Sequence, residues 1–435
     1  MDNISDFITV TEYKSIGETI HHICLPNGLN INVLEKPEFN SSYAVLAVDY
    51  GGAHRNFILD GAETDTPAGV AHFLEHKMFD LPNGDNALEL LSANGADPNA
   101  FTSSSMTAYY FSCTEKFEEN LRLLLHFVTT PYFTEETVKK EQGIIAQEIR
   151  MGEDNPGVKI YYDLLEMLYP KHTLKDRVAG TVESIGTITA QTLYDCHRAF
   201  YVPDNMCLCV MGNVNARRVV ELAAETLPMD APGSAMVSFD GISEDEPAEK
   251  RRLRKMPVSA PQVLIGSKFA PTDSDQNRLY ERLCAQLSLR MLVGSASPFY
   301  TRLYAEGLLN HDFDYEVDFF ANTATVIIGG ETQNPEKLFG EFCAELERVK
   351  DEGFDSEAFE LAKRASLGAR LRGLEDFENV CISLVEGQFG CFDALSAIPM
   401  LSEIRVEDCN RFIRRVFRAE NFVMSVIEPG GGADE

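Results

Sequence analysis

Hydrophobic and polar positions change their spacing along the first half of the chain. Residues 29–37 and 42–52 alternate or run apolar between turn residues, which predicts two β-strands. Residues 67–79 begin with proline and repeat apolar side chains at helical spacing, and residues 134–154 open with a capping-box pattern that predicts a long helix. Strands that precede long helices indicate an α+β arrangement.

The second half repeats this order of elements. Residues 263–270 predict a strand, and residues 355–377 predict a helix. Two stretches that begin at Ile188 and Ile404 also resemble each other, because an asparagine follows each isoleucine by 17 residues and a valine follows it by 22. Each has the pattern of a helix, a short turn and an apolar strand. We interpret the repeat as an internal duplication, which predicts two homologous α+β domains.

A change of composition separates the two halves. Residues 239–257 pass from acidic to basic, contain two prolines and lack hydrophobic periodicity. We predict a linker there, between a first domain of residues 1–238 and a second domain of residues 258–435.

Charge and composition narrow the classes of partner. The 38 basic and 68 acidic residues give 38 − 68 = −30, which disfavours nucleic acid and anionic membranes and suits neutral or basic peptides. The first residues lack a secretory pattern, and no apolar segment approaches the roughly 20 residues of a membrane span. Ten scattered cysteines without a CxxC pair indicate reduced thiols. We therefore expect a cytoplasmic protein.

The sequence HFLEH at residues 72–76 carries the first candidate chemistry. On a helix His72 and His76 are one turn apart and share a face, so both imidazoles can reach one ion. Zn²⁺ favours imidazole nitrogen and, in catalytic sites, takes three protein ligands while one position stays open to water. Glu75 lies beside His76 and could take a proton from that water. The order His-x-x-Glu-His is the inverse of the zincin motif.

A third ligand must come from another element. Glu141 and Glu148 are seven residues apart, two helical turns on one face, within the helix predicted over residues 134–154. Glu148 is the candidate ligand, and Glu141 is a candidate partner that orients a histidine. From spacing alone an exposed acidic stripe is the favoured explanation, and Glu153 and Asp154 compete for the ligand role on proximity.

Three stretches carry a family resemblance: GVAHFLEHKMF at residues 69–79, NAFTSSSMTAYYF at 99–111 and EQGIIAQEIRMGEDNP at 141–156. Together they resemble the pitrilysin/insulinase family of inverzincin metallopeptidases, which includes the mitochondrial processing peptidases, and in particular its bacterial YmfH-like branch. The resemblance implies the pitrilysin/LuxS-like fold, in which two homologous domains with mostly antiparallel sheets and packed helices enclose a chamber. It also favours Glu148 over Glu153 as the third zinc ligand.

The resemblance extends to substrate binding. Family members bind peptide as an added strand at a sheet edge, and the matching stretch here runs from Asn99 to Thr102, with Asn99, Ala100 and Phe101 as the candidate substrate-binding residues. Asn99 could hydrogen-bond the substrate or close the turn after a proline. In the second half, Tyr304 and His311 occupy positions where the family often has an arginine and a tyrosine, which puts carbonyl stabilisation from that half in doubt. That half also lacks HxxEH, so one metal site per chain is expected.

These observations predict a zinc metalloendopeptidase that hydrolyses peptides or unfolded segments. Glu75 would be the general base, with Glu141 in support. The resemblance implies a dimer, either of two copies of this chain or with a related metal-less subunit. The alternatives are a non-catalytic or partner-dependent binding subunit of the same fold, and a structural zinc, which would need a fourth protein ligand.

Overall fold

The protein is described by a computed structural model, which covers residues 7–227, 235–237, 246–272 and 275–430. The chain divides into two compact units. The first unit comprises residues 1–149, 176–238 and 372–395, and the second comprises residues 150–175, 239–371 and 396–435.

Fifteen strands and fifteen α-helices are assigned within the described ranges. The strands are β1 (Ile8–Tyr13), β2 (Glu18–Cys24), β3 (Asn30–Glu35), β4 (Ser42–Val48), β5 (Asn56–Leu59), β6 (Ala62–Asp65), β7 (Asp97–Thr102), β8 (Thr107–Cys113), β9 (Met206–Gly212), β10 (Met236–Val237), β11 (Arg251–Met256), β12 (Gln262–Phe269), β13 (Asp314–Phe320), β14 (Thr323–Glu331) and β15 (Val423–Pro429). The helices are α1 (Val70–Met78), α2 (Ala87–Ala93), α3 (Phe117–Thr129), α4 (Glu135–Glu153), α5 (Pro156–Leu168), α6 (Val182–Ile185), α7 (Ala190–Phe200), α8 (Ala216–Thr226), α9 (Asp275–Val293), α10 (Pro298–Ala305), α11 (Pro335–Glu352), α12 (Ser356–Gly373), α13 (Phe377–Phe389), α14 (Ala397–Glu403) and α15 (Val406–Val416).

Each unit is built on one large sheet. The first has seven strands in the order β1-β2-β3-β9-β4-β8-β7, accompanied by a small sheet β10-β5-β6. The second has five strands in the order β11-β15-β12-β14-β13. Only β3 with β9 and β11 with β15 pair in parallel within the large sheets, and the other described neighbours are antiparallel.

The two large sheets match strand for strand. The run β3-β9-β4-β8-β7 in the first unit corresponds to β11-β15-β12-β14-β13 in the second, with the same parallel pair in the same place. Helices occupy corresponding places in the chain order, so α1 corresponds to α9, α4 to α12, and α7 to α15. The repeat seen at Ile188 and Ile404 falls on the matching units α7-β9 and α15-β15. The prediction of two homologous, mostly antiparallel α+β domains is confirmed.

The apolar run of the predicted strand at β4 has a simple cause. All seven residues of β4 are buried, because helices cover both faces of the sheet at this point. Ala44, Leu46 and Val48 contact the core under α1, α3, α7 and α8. Tyr43, Val45 and Ala47 belong to a second core formed with α13.

Two helices pack in the unit that is formed mainly by the other half of the sequence. Helix α5 follows α4 in the chain but packs against β12 and β15 in the second unit. A Cβ at Gly266 of β12 would lie 2.8 Å from Cδ2 of Leu164, so a larger residue there would require the leucine side chain to shift. Helix α13 makes the reciprocal exchange and packs against β4 and β9 in the first unit. The predicted domains, residues 1–238 and 258–435, divide the chain at one place and therefore do not account for this exchange.

The segment interpreted as a linker contributes a strand. Its residues 239–245 lie outside the described residues, but Arg251–Met256 form β11 and pair in parallel with β15. Arg252 and Arg254 alternate with exposed residues and bind Asp163 of α5, which is 1% exposed, at N–O distances of 3.2 and 2.9 Å. The linker interpretation was wrong for this stretch. Two inward-facing side chains of the strand are arginines instead of apolar residues, and the carboxylate that neutralises them is distant in sequence, so no hydrophobic alternation marks the strand.

Two further expectations concern the cysteines and the absence of a membrane span. All ten cysteines lie in the described part of the chain and are free thiols. No single described helix has the length and apolar composition of a membrane span, although the bent pair Phe377–Phe389 and Ala394–Glu403 passes that test by length and composition only.

Candidate metal centre

Helix α1 presents the two histidines. It begins after Gly69, whose φ of 96° is left-handed and where a Cβ would lie 2.6 Å from the carbonyl oxygen of Ala179. Val70, Phe73, Leu74 and Met78 are buried in the core and set the rotation of the helix about its axis. The rings of His72 and His76 therefore share one face, with centroids 4.6 Å apart.

Helix α4 brings a carboxylate to these rings. Glu148 Oε1 lies 3.4 Å from Nε2 of His72, and Glu148 Oε2 lies 3.7 Å from Nε2 of His76. One potential ligand atom from each of the three residues lies within 4.8 Å of the others. These distances exceed those of strong charge-assisted hydrogen bonds. Two imidazole nitrogens and a carboxylate converge at a spacing that suits a divalent cation between them, and the donor set is one that zinc accepts.

Glu141 supports the arrangement from the same helix. Its Oε1 lies 3.0 Å from Nδ1 of His76, which leaves Nε2 of that ring directed towards Glu148. Burial lowers the pKa of His76, but the hydrogen bond with Glu141 and the charges of Glu75, Glu141 and Glu148 outweigh it and raise the pKa above its ordinary value. The carboxylates thus create a local field that favours a cation.

The neighbouring histidines lower the pKa of both carboxyl groups of α4, Glu141 and Glu148. The approach of the His72 ring is the main reason that the pKa of Glu148 is lowered, and it outweighs the opposing effect of burial. For Glu141, burial acts to raise the pKa, but the hydrogen bond and charge of His76 prevail and lower it. Both carboxyl groups are therefore held in the ionised form that binds metal.

Glu75 occupies a buried position beside the cluster. It is 8% exposed, and Oε2 accepts a hydrogen bond of 2.5 Å from the hydroxyl of Thr102. Thr102 Oγ1 also lies 3.4 Å from the hydroxyl of Thr107, which donates to the carbonyl oxygen of Tyr50. The hydroxyl of Thr102 thus holds the Glu75 carboxylate from the side of the sheet, and the contact with Thr107 is one of packing, because both hydroxyl hydrogens are donated elsewhere. The sequence placed Thr102 in the same edge stretch as Asn99, Ala100 and Phe101 but assigned it no role towards Glu75.

The predicted substrate strand is an edge strand. Asn99, Ala100 and Phe101 belong to β7, which pairs with β8 and ends the seven-stranded sheet. Asn99 Oδ1 accepts a hydrogen bond of 2.9 Å from the backbone N–H of Ala100. The amide of Asn99 is thus engaged locally. Strand β7 also contacts α1, so the same strand connects Glu75 to the edge of the seven-stranded sheet formed by the described residues.

The remaining candidate residues lie elsewhere. Glu153 is the last residue of α4 and Asp154 follows it; both are exposed, and neither belongs to the one metal-capable group found among the described residues. Tyr304 is 53% exposed on α10 and stacks on Tyr300, with ring centroids 5.7 Å apart. His311 is exposed beside Asp312. Both belong to the second unit.

Comparison with known proteins identifies the family of the chain. The sequence profile described as Insulinase (Peptidase family M16) matches residues 35–182, and the profile described as Peptidase M16 inactive domain matches residues 187–366. The chain is 34% identical over 426 residues to YmfH of Bacillus subtilis strain 168, described as an uncharacterized zinc protease, covering 96% of this chain and 98% of that protein. YmxG of the same strain, similarly described, is 25% identical over 421 residues, covering 93% and 97%.

Solved structures show the same relationship. A structure described as an M16-like peptidase from Alicyclobacillus acidocaldarius superposes with a TM-score of 0.91 at 31% identity, covering 95% of this chain and 99% of that one. A structure of pitrilysin superposes with a TM-score of 0.77 at 16% identity. The match covers 98% of this chain and 46% of pitrilysin, and it shows the shared fold. The chain has the fold and metal-capable cluster of a zinc-protease-like protein. It belongs to the insulinase family of M16 peptidases, which confirms the resemblance.

Proposed function

We propose that this protein is a zinc-dependent endopeptidase that hydrolyses peptides or unfolded protein segments. The observation that carries the proposal is the convergence of His72, His76 and Glu148 within 4.8 Å, with the buried Glu75 held beside them by Thr102. Three protein ligands leave one coordination position open, as catalytic zinc sites require. The names of the relatives as zinc proteases support the choice of metal.

The chemistry divides between the ion and the protein. Zinc, when bound, supplies a Lewis acid that polarises the scissile carbonyl. Glu75 accepts the proton of the attacking water and passes it to the leaving amine, because its carboxylate lies next to the metal ligands. Thr102 orients that carboxylate, and Glu141 holds the ring of His76. Strand β7 offers its free edge to an extended peptide through backbone hydrogen bonds, so the sequence demand on the substrate is small.

The test combines metal content with cleavage of a quenched fluorescent peptide library. The wild type and Glu75→Gln are expected to hold about one zinc per chain each, while only the wild type cleaves. Loss of the base should reduce kcat by roughly 10²–10⁴-fold. Equal cleavage by both proteins would remove Glu75 from the base role, and absence of bound zinc in both would contradict the proposal.

The alternative of a non-catalytic binding subunit makes a different prediction. In that case zinc binds stoichiometrically, peptides bind, and neither protein cleaves any library member, alone or mixed with a related metal-less chain. We further propose a dimer as the working form, for which the family resemblance is the support. Light scattering over a range of concentrations, compared with activity at each, tests this directly.

A further inference from the structure

Two cysteines of the second unit meet where helices α9 and α15 pack together. Cys284 lies on α9 and Cys409 on α15; they are 125 residues apart in sequence, and they are 3% and 0% exposed. The thiol of Cys409 donates a hydrogen bond to the backbone carbonyl oxygen of Cys284, with 3.9 Å between sulfur and oxygen. The two side-chain sulfurs are also within hydrogen-bonding distance of each other. Folding therefore brings two distant thiols into direct contact.

Polar contacts beside the thiols fix the position of the two helices. One turn before Cys284, the hydroxyl of Tyr280 hydrogen-bonds the carboxylate of Asp408. The buried carboxylate of Glu281 binds the guanidinium group of Arg415. Because these contacts hold α15 against one turn of α9, the two sulfurs stay close enough to react with each other in the folded protein.

A cavity of about 660 Å³ opens next to the thiol pair. Tyr280 and Asp408 both line it, and Asp408 directly precedes Cys409 in the chain. The cavity gives a molecule as small as hydrogen peroxide an approach to the thiols. A metal ion fits the pair less well, because the one metal-capable group among the described residues is the cluster of the first unit.

The surroundings of the thiols determine how readily they react. The hydrogen bond with Cys409, then burial, and then the charges of Cys409, Asp408 and Glu281 raise the pKa of Cys284. The thiolate is the reactive form of cysteine, so oxidation of this thiol is slow at neutral pH. The pair therefore stays reduced until an oxidant is abundant.

We propose that Cys284 and Cys409 form a reversible disulfide, which clamps α9 to α15 when a hydroperoxide is abundant. The peroxide oxidises one thiol to a sulfenic acid and releases water. The sulfur of the second cysteine then attacks the sulfenic sulfur, the S–O bond breaks, and the hydroxyl leaves with the thiol proton as a second water. Two electrons pass from the two thiols to the peroxide, and an added dithiol returns them.

The clamp acts on the second unit alone. Helix α1, which corresponds to α9, has no cysteine, so the same bond cannot form in the first unit. A disulfide between distant residues stabilises mainly by restricting the state in which they separate. The clamped helices should therefore open less often, and their amide hydrogens should exchange more slowly with solvent. Neither bound zinc nor peptide hydrolysis is required.

The test treats the full chain with hydrogen peroxide, alkylates the remaining thiols and maps linked peptides by mass spectrometry without reduction. We expect a linked peptide that contains Cys284 and Cys409. Hydrogen exchange of the amides of α9 and α15 should become slower by roughly tenfold or more. Dithiothreitol should reverse both changes. It does not reduce methionine sulfoxide, so this reversal separates the disulfide from methionine oxidation.

Cys409→Ala should form no such link, and peroxide should not slow exchange in its α9 and α15. Cys381→Ala removes another buried thiol and should retain both responses. If Cys409→Ala does not fold, Cys284→Ser provides the same comparison. Oxidation of other cysteines that leaves Cys284 and Cys409 unlinked overturns the proposal, and so does a link that leaves the exchange of both helices unchanged.

Discussion

The two units share a sheet and differ in the side chains placed at its edge. In the first unit the helices beside the edge strand carry His72, His76 and Glu148, and the strand holds Glu75 through Thr102. In the second unit the corresponding helices carry Arg290 and Arg370. The difference shows that the backbone frame sets only where chemistry can occur. A few polar residues on two helices decide whether the place can hold a metal ion.

The units also differ in how they retain the exchanged helix. In the first unit α13 is held by an apolar core that includes Val380, Cys381 and Leu384. In the second unit α5 adds an ionic connection, because the buried Asp163 binds Arg252 and Arg254 of β11. The same exchange is therefore stabilised largely by burial in one case and partly by charge in the other.

The largest effect that separates the units should come from a metal ligand. His76→Ala removes one of three ligands, so bound zinc and peptide cleavage should both fall below detection. Arg370→Gln in the second unit should leave zinc content unchanged. Measurement of zinc by mass spectrometry after dialysis decides this, and zinc retained by His76→Ala would place the ion elsewhere.

Acid should destabilise the first unit through a buried histidine that has no equivalent in the second unit. His197 on α7 is 7% exposed, and burial lowers its pKa to about 4; the matching residue of α15 is Ile413. Between an unfolded pKa near 6.5 and about 4 the unfolded chain binds the extra proton, so stability falls as pH falls through this window. The loss should reach about 3 kcal/mol.

Urea unfolding of the wild type and His197→Ile at several pH values measures this contribution. Carboxyl groups that titrate in both proteins cancel in the difference between them. The wild type should lose stability relative to the variant from about pH 6.5 to 4 and show no further relative change below that. A difference independent of pH would show that folding does not lower the pKa of His197.

Edge strand β7 should matter to catalysis through Thr102. Thr102→Val removes the hydroxyl that donates to Glu75, so kcat should fall by roughly 10–100-fold, the equivalent of a hydrogen bond to a charged group. Thr102→Ser keeps the donor and should restore most of the activity. Zinc content and KM should stay near the wild-type values in both variants. A proportional rise in KM, or no recovery with serine, would indicate a packing role instead.

A smaller effect is expected from the residue that orients His76. Glu141→Gln keeps the shape but weakens the hydrogen bond to Nδ1, so zinc affinity should fall by about tenfold. Competition with a chelator of known affinity provides the measurement. The neighbouring exposed change Glu153→Gln serves as the control and should leave affinity unaltered.

Several features could be predicted from the sequence because they depend on neighbours along the chain. The period of apolar residues set the helices α1 and α4, and therefore the faces shared by His72 with His76 and by Glu141 with Glu148. The duplicated helix–turn–strand pattern predicted the two related units for the same reason.

Other features were decided only when distant segments packed together. Spacing alone left Glu148 and Glu153 as alternatives, and the approach of α4 to α1 distinguished them. The exchange of α5 and α13, the strand β11 and the contact of Thr102 with Glu75 all join residues far apart in sequence. Arg290 and Arg370 line one cavity although they are far apart in sequence. Helical periodicity is local, whereas these contacts depend on which surfaces bury each other, and no repeat along the chain encodes that.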